Sequence, residues 1–110
     1  MPMSDYYLQK LTHIAPVEGH IVEASFAEDG FTGKVDLRPW IQRGGIRAAL
    51  ADRELFGQVT VNEFGAPEWP GEIDLAPGTL RAWCEAGRVM TKEETDDWIA
   101  RAHQQTAKVA

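Results

Sequence analysis

Apolar and polar positions alternate most clearly from His20 to Ala27. There Ile21, Val22, Ala24 and Phe26 are interrupted by Glu23 and Ser25. A period of two places alternate side chains on opposite faces, so the run predicts a half-buried strand. Glu28-Asp29-Gly30 follows. Asp-Gly between two strand-like runs marks a hairpin, because glycine takes the positive φ of the turn without steric cost. Phe31 to Leu37 is the return strand. Phe31, Gly33, Val35 and Leu37 share one face, and Thr32, Lys34 and Asp36 share the other. Upstream, Leu8 to Ala15 carries Leu8, Leu11 and Ile14 and reads as a first strand, with a turn from Pro16 to Gly19 and a frayed start over residues 1–6. An antiparallel meander is expected up to Pro39, which lacks the N–H a ladder needs and ends the third strand.

The period then changes. Gly44-Gly45 breaks the chain. Ile46, Ala49 and Leu50 stand at helical spacing and predict a short helical link, and Asp52 is placed to cap one more turn, Arg53 to Phe56. Gln58 to Phe64 reads as a strand with Val59 and Val61 on one face. Gly65 to Pro67 turns it, and Glu68 to Leu75 returns as an edge or bulged strand interrupted by Pro70-Gly71. Pro77 suits the first position of a helix. Thr79 to Ala86 follows, with Leu80, Trp83 and Cys84 inward, and Gly87 is its stop. Thr91 and Glu94 form a capping box for a last helix from about Lys92 to Thr106. Trp98, Ile99 and Ala102 are its narrow apolar stripe. The expected fold is α+β. An antiparallel sheet of about five strands has helices packed on one side and a C-terminal helix. Residues 1–88 are expected to form the domain, and 89–110 a helical extension.

With 110 residues, the chain suits one domain whose core needs no disulfide or metal. The formal net charge of −6 argues against direct binding to a phosphate backbone. Cys84 is the single cysteine, which fits a reducing compartment. No apolar run approaches the roughly 18 residues of a membrane span, and the N-terminus does not read as a signal peptide. A cytoplasmic protein is expected.

The candidate chemistry is sparse. His13, His20 and His103 lack the spacing of a zinc site, and His13 with His20 could meet only across a hairpin. Glu72 and Asp74 stand at i, i+2, but paired carboxylates need a pocket and a second group to act as acid and base. Asp74 is better read as a tie into the following helix, and Glu72 as solvated. Cys84 falls mid-helix on the apolar side, away from any cation or helix N-terminus that would activate it. No catalytic, cofactor or metal residue is therefore expected. Charge is more informative. From Ile46 to Thr79, Arg47 and Arg53 are outweighed by Asp52, Glu54, Glu63, Glu68, Glu72 and Asp74. These carboxylates are either a solvated face or the approach to a basic partner protein. Trp40, beside Arg38 and Arg43, is either a lid on the core or an exposed interface anchor, and Trp98 is a second candidate anchor. The partner-binding candidates are Trp40, Glu63, Glu68, Glu72 and Trp98.

One resemblance rests on the order of Asp36, Leu37 and Pro39, then Asp52, Glu54, Leu55 and Phe56, then Trp69 and Pro70, then Asp74, Leu75, Pro77 and Leu80. In this the chain resembles the bacterial family catalogued as domain of unknown function 2442, over roughly residues 11–84. It departs at Ala76, where the family often has an acidic cap, and at Gly71-Glu72-Ile73, where the family often has Asn-Gly. The resemblance implies a small α+β protein of a largely uncharacterised family, some of whose members stand alone. Some members carry a helix-turn-helix, which is not expected here, and some are encoded in toxin–antitoxin-like pairs. The expected function is a protein-interaction module, the antitoxin or accessory half of a two-gene pair. The alternative is an acidic inhibitor, encoded by a phage or mobile element, of a nucleic-acid-binding protein.

Overall fold

Three antiparallel strands open the chain in the spatial order β1 (Leu11–Glu18), β2 (Ile21–Phe26), β3 (Thr32–Asp36). This computed structural model describes residues 9–109, with side chains over 9–102. The expected frayed start, Leu8 and the His103 side chain lie outside those residues. The meander is as the alternation predicts. Val22, Ala24 and Phe26 point into the core, and so do Val35 and Leu37 from the return strand. The Asp-Gly turn is present, with Gly30 at φ 76° and its N–H donating to Phe26 O at 3.0 Å.

Two strand ends differ from the reading. β1 runs through Pro16 to Glu18, and the turn shrinks to Gly19 and His20. Pro16 is tolerated because β1 is a sheet edge and its register shifts between Pro16 and Glu18. At the other end, β3 stops at Asp36 rather than at Pro39. Pro39 instead lies in the first turn of a short helix, α1 (Arg38–Ile41), where its missing N–H would have no partner anyway. The Asp36 carboxylate accepts from Arg38 N at 3.0 Å and pairs with the Arg38 guanidinium at 2.6 Å.

The link after Gly44-Gly45 is a 3-10 helix, Gly45–Ala51. Its three-residue turn eclipses Ile46 and Ala49 on the outside, so only Leu50 of the expected apolar set is buried. Asp52 caps α2 (Arg53–Phe56) by accepting from Glu54 N at 2.9 Å. A second three-stranded sheet follows: β4 (Thr60–Val61), β5 (Pro67–Trp69) and β6 (Ile73–Asp74), in that order. The single interrupted strand expected from Glu68 to Leu75 is thus two strands. Pro70 cannot donate, and Gly71 (φ 95°) and Glu72 (φ 64°) reverse the chain. The count becomes six strands in two sheets rather than about five in one. The sheets touch where Leu11 N donates to Gly65 O at 2.8 Å.

Helix α3 (Pro77–Ala86) lies against β3 at Gly33, where a Cβ would come within 3.0 Å of Cys84 Cβ. Leu80, Trp83 and Cys84 are buried as expected. No side chain caps its N-terminus, and Asp74, the expected tie, is exposed; Leu75 N donates to Pro67 O at 3.3 Å instead. Helix α4 (Lys92–Val109) starts at the expected capping box: Glu94 N donates to Thr91 Oγ1 at 3.1 Å, and Thr91 N to Glu94 Oε1 at 3.0 Å. It docks through Trp83 Nε1–H, which donates to Thr95 Oγ1 at 2.9 Å. Met90, inside the expected extension, is buried in the common core.

Among the described residues Arg81 is the buried charge, 8 % exposed. Its guanidinium grips Asp29 through two bonds of 2.9 and 2.8 Å, and its Nε donates to Glu85 Oε2 at 2.6 Å. It also lies 4.4 Å from the Phe31 ring centroid. Burial disfavours its charge, but the two carboxylates outweigh that and hold its pKa above the ordinary value. A helix is thereby clamped to the tip of the β2–β3 hairpin.

Candidate functional site

The turn between β4 and β5 is built on Asn62. Its Oδ1 accepts from Phe64 N at 2.9 Å and from Ala66 N at 3.1 Å. Its Nδ2–H donates to Glu68 Oε1 at 2.8 Å. Two backbone bonds close the loop: Gly65 N to Asn62 O and Asn62 N to Ala66 O, both 2.9 Å. An Asn side chain that mimics the backbone in this way fixes a turn without further packing. Gly65 is required twice over. Its φ is 78°, and a Cβ there would sit 2.6 Å from Lys10 Cβ. Gly65→Ala is expected to cost about 1–3 kcal/mol through left-handed strain and the Lys10 clash. A thermal melt indistinguishable from wild type would show that the turn is not held in this shape.

The product of this construction is Phe64, 70 % exposed at the tip. A large apolar side chain on a fixed turn loses little entropy on binding, which suits it to act as an anchor. Carboxylates are spread along the second sheet, Glu63 beside Phe64 in the turn and Glu72 in the turn at the other end of β5. Glu68 stands directly opposite Asp74, so the two acidic side chains share a face of the sheet. Glu63 and Glu72 are exposed at the turns. Among the described residues, none of these four has an ion-pair partner. Glu72 is in a turn, not on a strand face beside Asp74, and the two carboxylates are not brought together as a pair.

The expectation of Trp40 as an exposed anchor is corrected. It is 4 % exposed, with its ring 5.7 Å from that of Trp69 and the Arg47 guanidinium 5.4 Å above it. The turn of α1 after Pro39 swings it inward. Trp98 is half-buried, and its Nε1–H donates to Glu85 Oε1 at 2.9 Å, which fixes it between α3 and α4. Phe64 was missed because it reads as the last residue of a Gln58–Phe64 strand. The usable signal was Asn62 three residues before Gly65, an Asx-turn spacing.

Cys84 and His20 are held within the fold. Burial pushes the Cys84 thiol up to about 12, which keeps it protonated at neutral pH. His20 Nε2 bonds Leu50 O at 3.0 Å, and its ring meets the Phe56 ring at 4.8 Å. His13 is exposed. Among the described residues no group of three or more His, Cys, Asp or Glu side chains is placed to hold a metal ion, and no helix is long and apolar enough to cross a membrane. A shallow cleft of about 480 Å³ lies between the β1–β2 turn and α2, lined by Pro16, Val17, Glu18, Arg53, Glu54 and Phe56. It contains no matched acid and base. No family model, no curated protein and no solved structure matches the chain.

Proposed function

We propose that the protein is a non-enzymatic protein-interaction module whose contact element is the 62–66 turn. The observation that carries this is Phe64, a large apolar side chain held out in solvent by a turn with its own hydrogen-bond scaffold. The carboxylates of the second sheet, without ion-pair partners among the described residues, favour a partner whose apolar pocket carries lysine or arginine nearby. The resemblance to the domain of unknown function 2442 family supports the partner being the product of an adjacent gene, with this chain as the antitoxin or accessory half. The protonated, buried Cys84 and the backbone-tied His20 support a role without catalysis, cofactor or metal. The free cysteine suits a cytoplasmic setting.

The opposed pair Glu68 and Asp74 favours a second reading, an acidic inhibitor of a nucleic-acid-binding protein. Affinity purification from the native host, with mass spectrometry, separates the two. Phe64→Ala is expected to lose the partner by about a hundredfold in affinity, as for an aromatic hot spot, while changing stability by less than about 0.5 kcal/mol. Glu63→Lys with Glu68→Lys is expected to slow association, and salt to do the same in the wild type. Capture that survives Phe64→Ala overturns the turn as the contact element. A captured protein that DNA competes away selects the inhibitor reading over the gene-pair reading.

A further inference from the structure

We propose that the chain from Gln42 to Ala49 is a second contact surface, one that takes an acidic peptide segment of a partner with an apolar side chain among its carboxylates. It is independent of the reading of Phe64 and opposite to it in charge.

The distribution of charge singles out this stretch. From Leu37 to Ala51 the chain carries Arg38, Arg43 and Arg47 and no carboxylate, within a protein of net charge −6. Arg38 pairs with Asp36 at 2.6 Å. Arg43 and Arg47 have no ion-pair partner among the described residues. Arg53, by contrast, stands between Asp52 and Glu54, and Lys34 lies across the strands from Glu23.

Aromatic faces hold the two arginines instead. The Arg43 guanidinium is 5.7 Å from the Trp83 ring centroid, and its Nη2–H donates to Met90 O at 2.7 Å. The Arg47 guanidinium is 5.4 Å from the Trp40 centroid. Both indoles are buried, so the two cations rest at the rim of the core. A guanidinium stacked on a ring keeps in-plane N–H donors for a carboxylate. Held in position beforehand, it loses less side-chain freedom on binding.

The 3-10 helix supplies the apolar element. Its three residues per turn put Arg47 in line with the buried Leu50, toward Trp40, and Ile46 in line with Ala49, outward. The two rows are a third of a turn apart, so Ile46 stands beside Arg47. Arg43 precedes it by one tight turn, closed by Gly44 N donating to Ile41 O at 3.1 Å. Ile46 is 58 % exposed, so most of its side chain lies outside the core. An exposed isoleucine between two cations fits a ligand whose apolar residue stands between carboxylates. Three side chains make a contact of peptide size, far below the roughly 1,600 Å² of a stable protein interface. A nucleic acid fits less well. Its phosphates meet a chain of net charge −6, and the indoles on which bases would stack are buried.

The probe is a fluorescein-labelled synthetic peptide of aspartates and glutamates around a central leucine, followed by fluorescence polarisation. The wild type is expected to bind it, more weakly at physiological than at low salt. Amide shifts in the labelled protein are expected to move over residues 42–49. Arg47→Gln and Ile46→Ser are each expected to weaken binding about tenfold, with circular dichroism confirming the fold. Replacing the peptide's leucine by serine is expected to cost the wild type about as much as Ile46→Ser, and to cost that variant little more. Phe64→Ala is expected to bind the peptide normally. Absent binding, shifts centred elsewhere, or full additivity of the leucine and Ile46 changes overturns the surface. Tighter binding of a single-stranded oligonucleotide to the same residues overturns the peptide as its occupant. Peptide binding lost in Phe64→Ala overturns the separateness of the two surfaces. Peptide binding retained while Phe64→Ala still captures the native partner sinks the 62–66 turn as contact element and supports this surface.

Discussion

Trp69→Ala is expected to destabilise the fold by about 4–6 kcal/mol, a loss equal to nearly all the stability of a domain at the low end of the ordinary range of about 5–15 kcal/mol. Trp69 comes from a three-residue strand, yet it joins most of the structure. Its ring is 5.8 Å from Phe56 and 5.7 Å from Trp40, so it links the second sheet to α2 and α1. Its Nε1–H donates to Phe56 O at 2.9 Å inside the core. Removing the ring loses about 3–5 kcal/mol in packing and cavity terms. The stranded carbonyl adds about 1 kcal/mol or more. Trp69→Phe keeps most of the stack and loses only the donor, so it should cost about 2 kcal/mol. Urea unfolding followed by circular dichroism measures both. An alanine variant within about 1 kcal/mol of wild type would mean the aromatic stack does not hold the second sheet.

Arg81→Met is the second large effect, expected at about 3 kcal/mol. Methionine keeps the apolar stem against Phe31 but takes the cation away from Asp29 and Glu85, which retain only their Phe31 N–H and Trp98 indole donors among the described residues. The variant should also change the response to acid. The Arg81 bonds to Asp29 hold that carboxyl down from its ordinary value near 3.8 to about 2. Asp29 therefore binds its proton more weakly when folded. Its contribution is complete above about pH 4 and disappears as pH falls through the window from 3.8 to about 2. Taken at face value the shift is worth about 2.4 kcal/mol, but the Asp29 side chain is half exposed, and screening reduces this to about 1 kcal/mol. Urea curves at neutral pH and in acid should show the wild type losing that increment and Arg81→Met not losing it. Parallel acid responses in the two proteins would remove the ion pair as the cause.

Local signals with a single physical cause were legible in the chain. The Asp29-Gly30 hairpin, the Asp52 cap, the Thr91–Glu94 box and the Gly87 stop all depend on residues within four positions of one another. The meander was legible because alternation survives on a sheet with one face buried. What failed depended on distant partners or on choices the local chemistry leaves open. Pro39 fits both the end of a strand and the start of a helix, and choosing the strand left Trp40 open between a lid on the core and an exposed anchor. Pro70-Gly71 fits both a bulge and a hairpin, and choosing the bulge joined two strands into one. Arg81 gave no signal, because its partner Asp29 is 52 positions away. Phe64 was hidden because two-residue strands make the alternation too short to show where β4 ends.

The second sheet has consequences for motion. Thr60 and Val61 meet Glu68 and Pro67, and Glu68 and Trp69 meet Asp74 and Ile73; that is its entire ladder, and Pro67 contributes no donor. So few backbone bonds cannot make the sheet cooperative by themselves. The segment from Gln58 to Leu75 is therefore a unit that can open below the free energy of global unfolding, with its amides exchanging ahead of those in the meander. The turn that presents Phe64 belongs to this unit. Its geometry is fixed locally by Asn62, while its attachment to the rest of the molecule runs through the Leu11 N–Gly65 O bond and the buried Trp69 indole. Whatever closes over Phe64 also suppresses that opening, so occupancy at the surface is felt in the protection of a strand pair that the occupant does not touch.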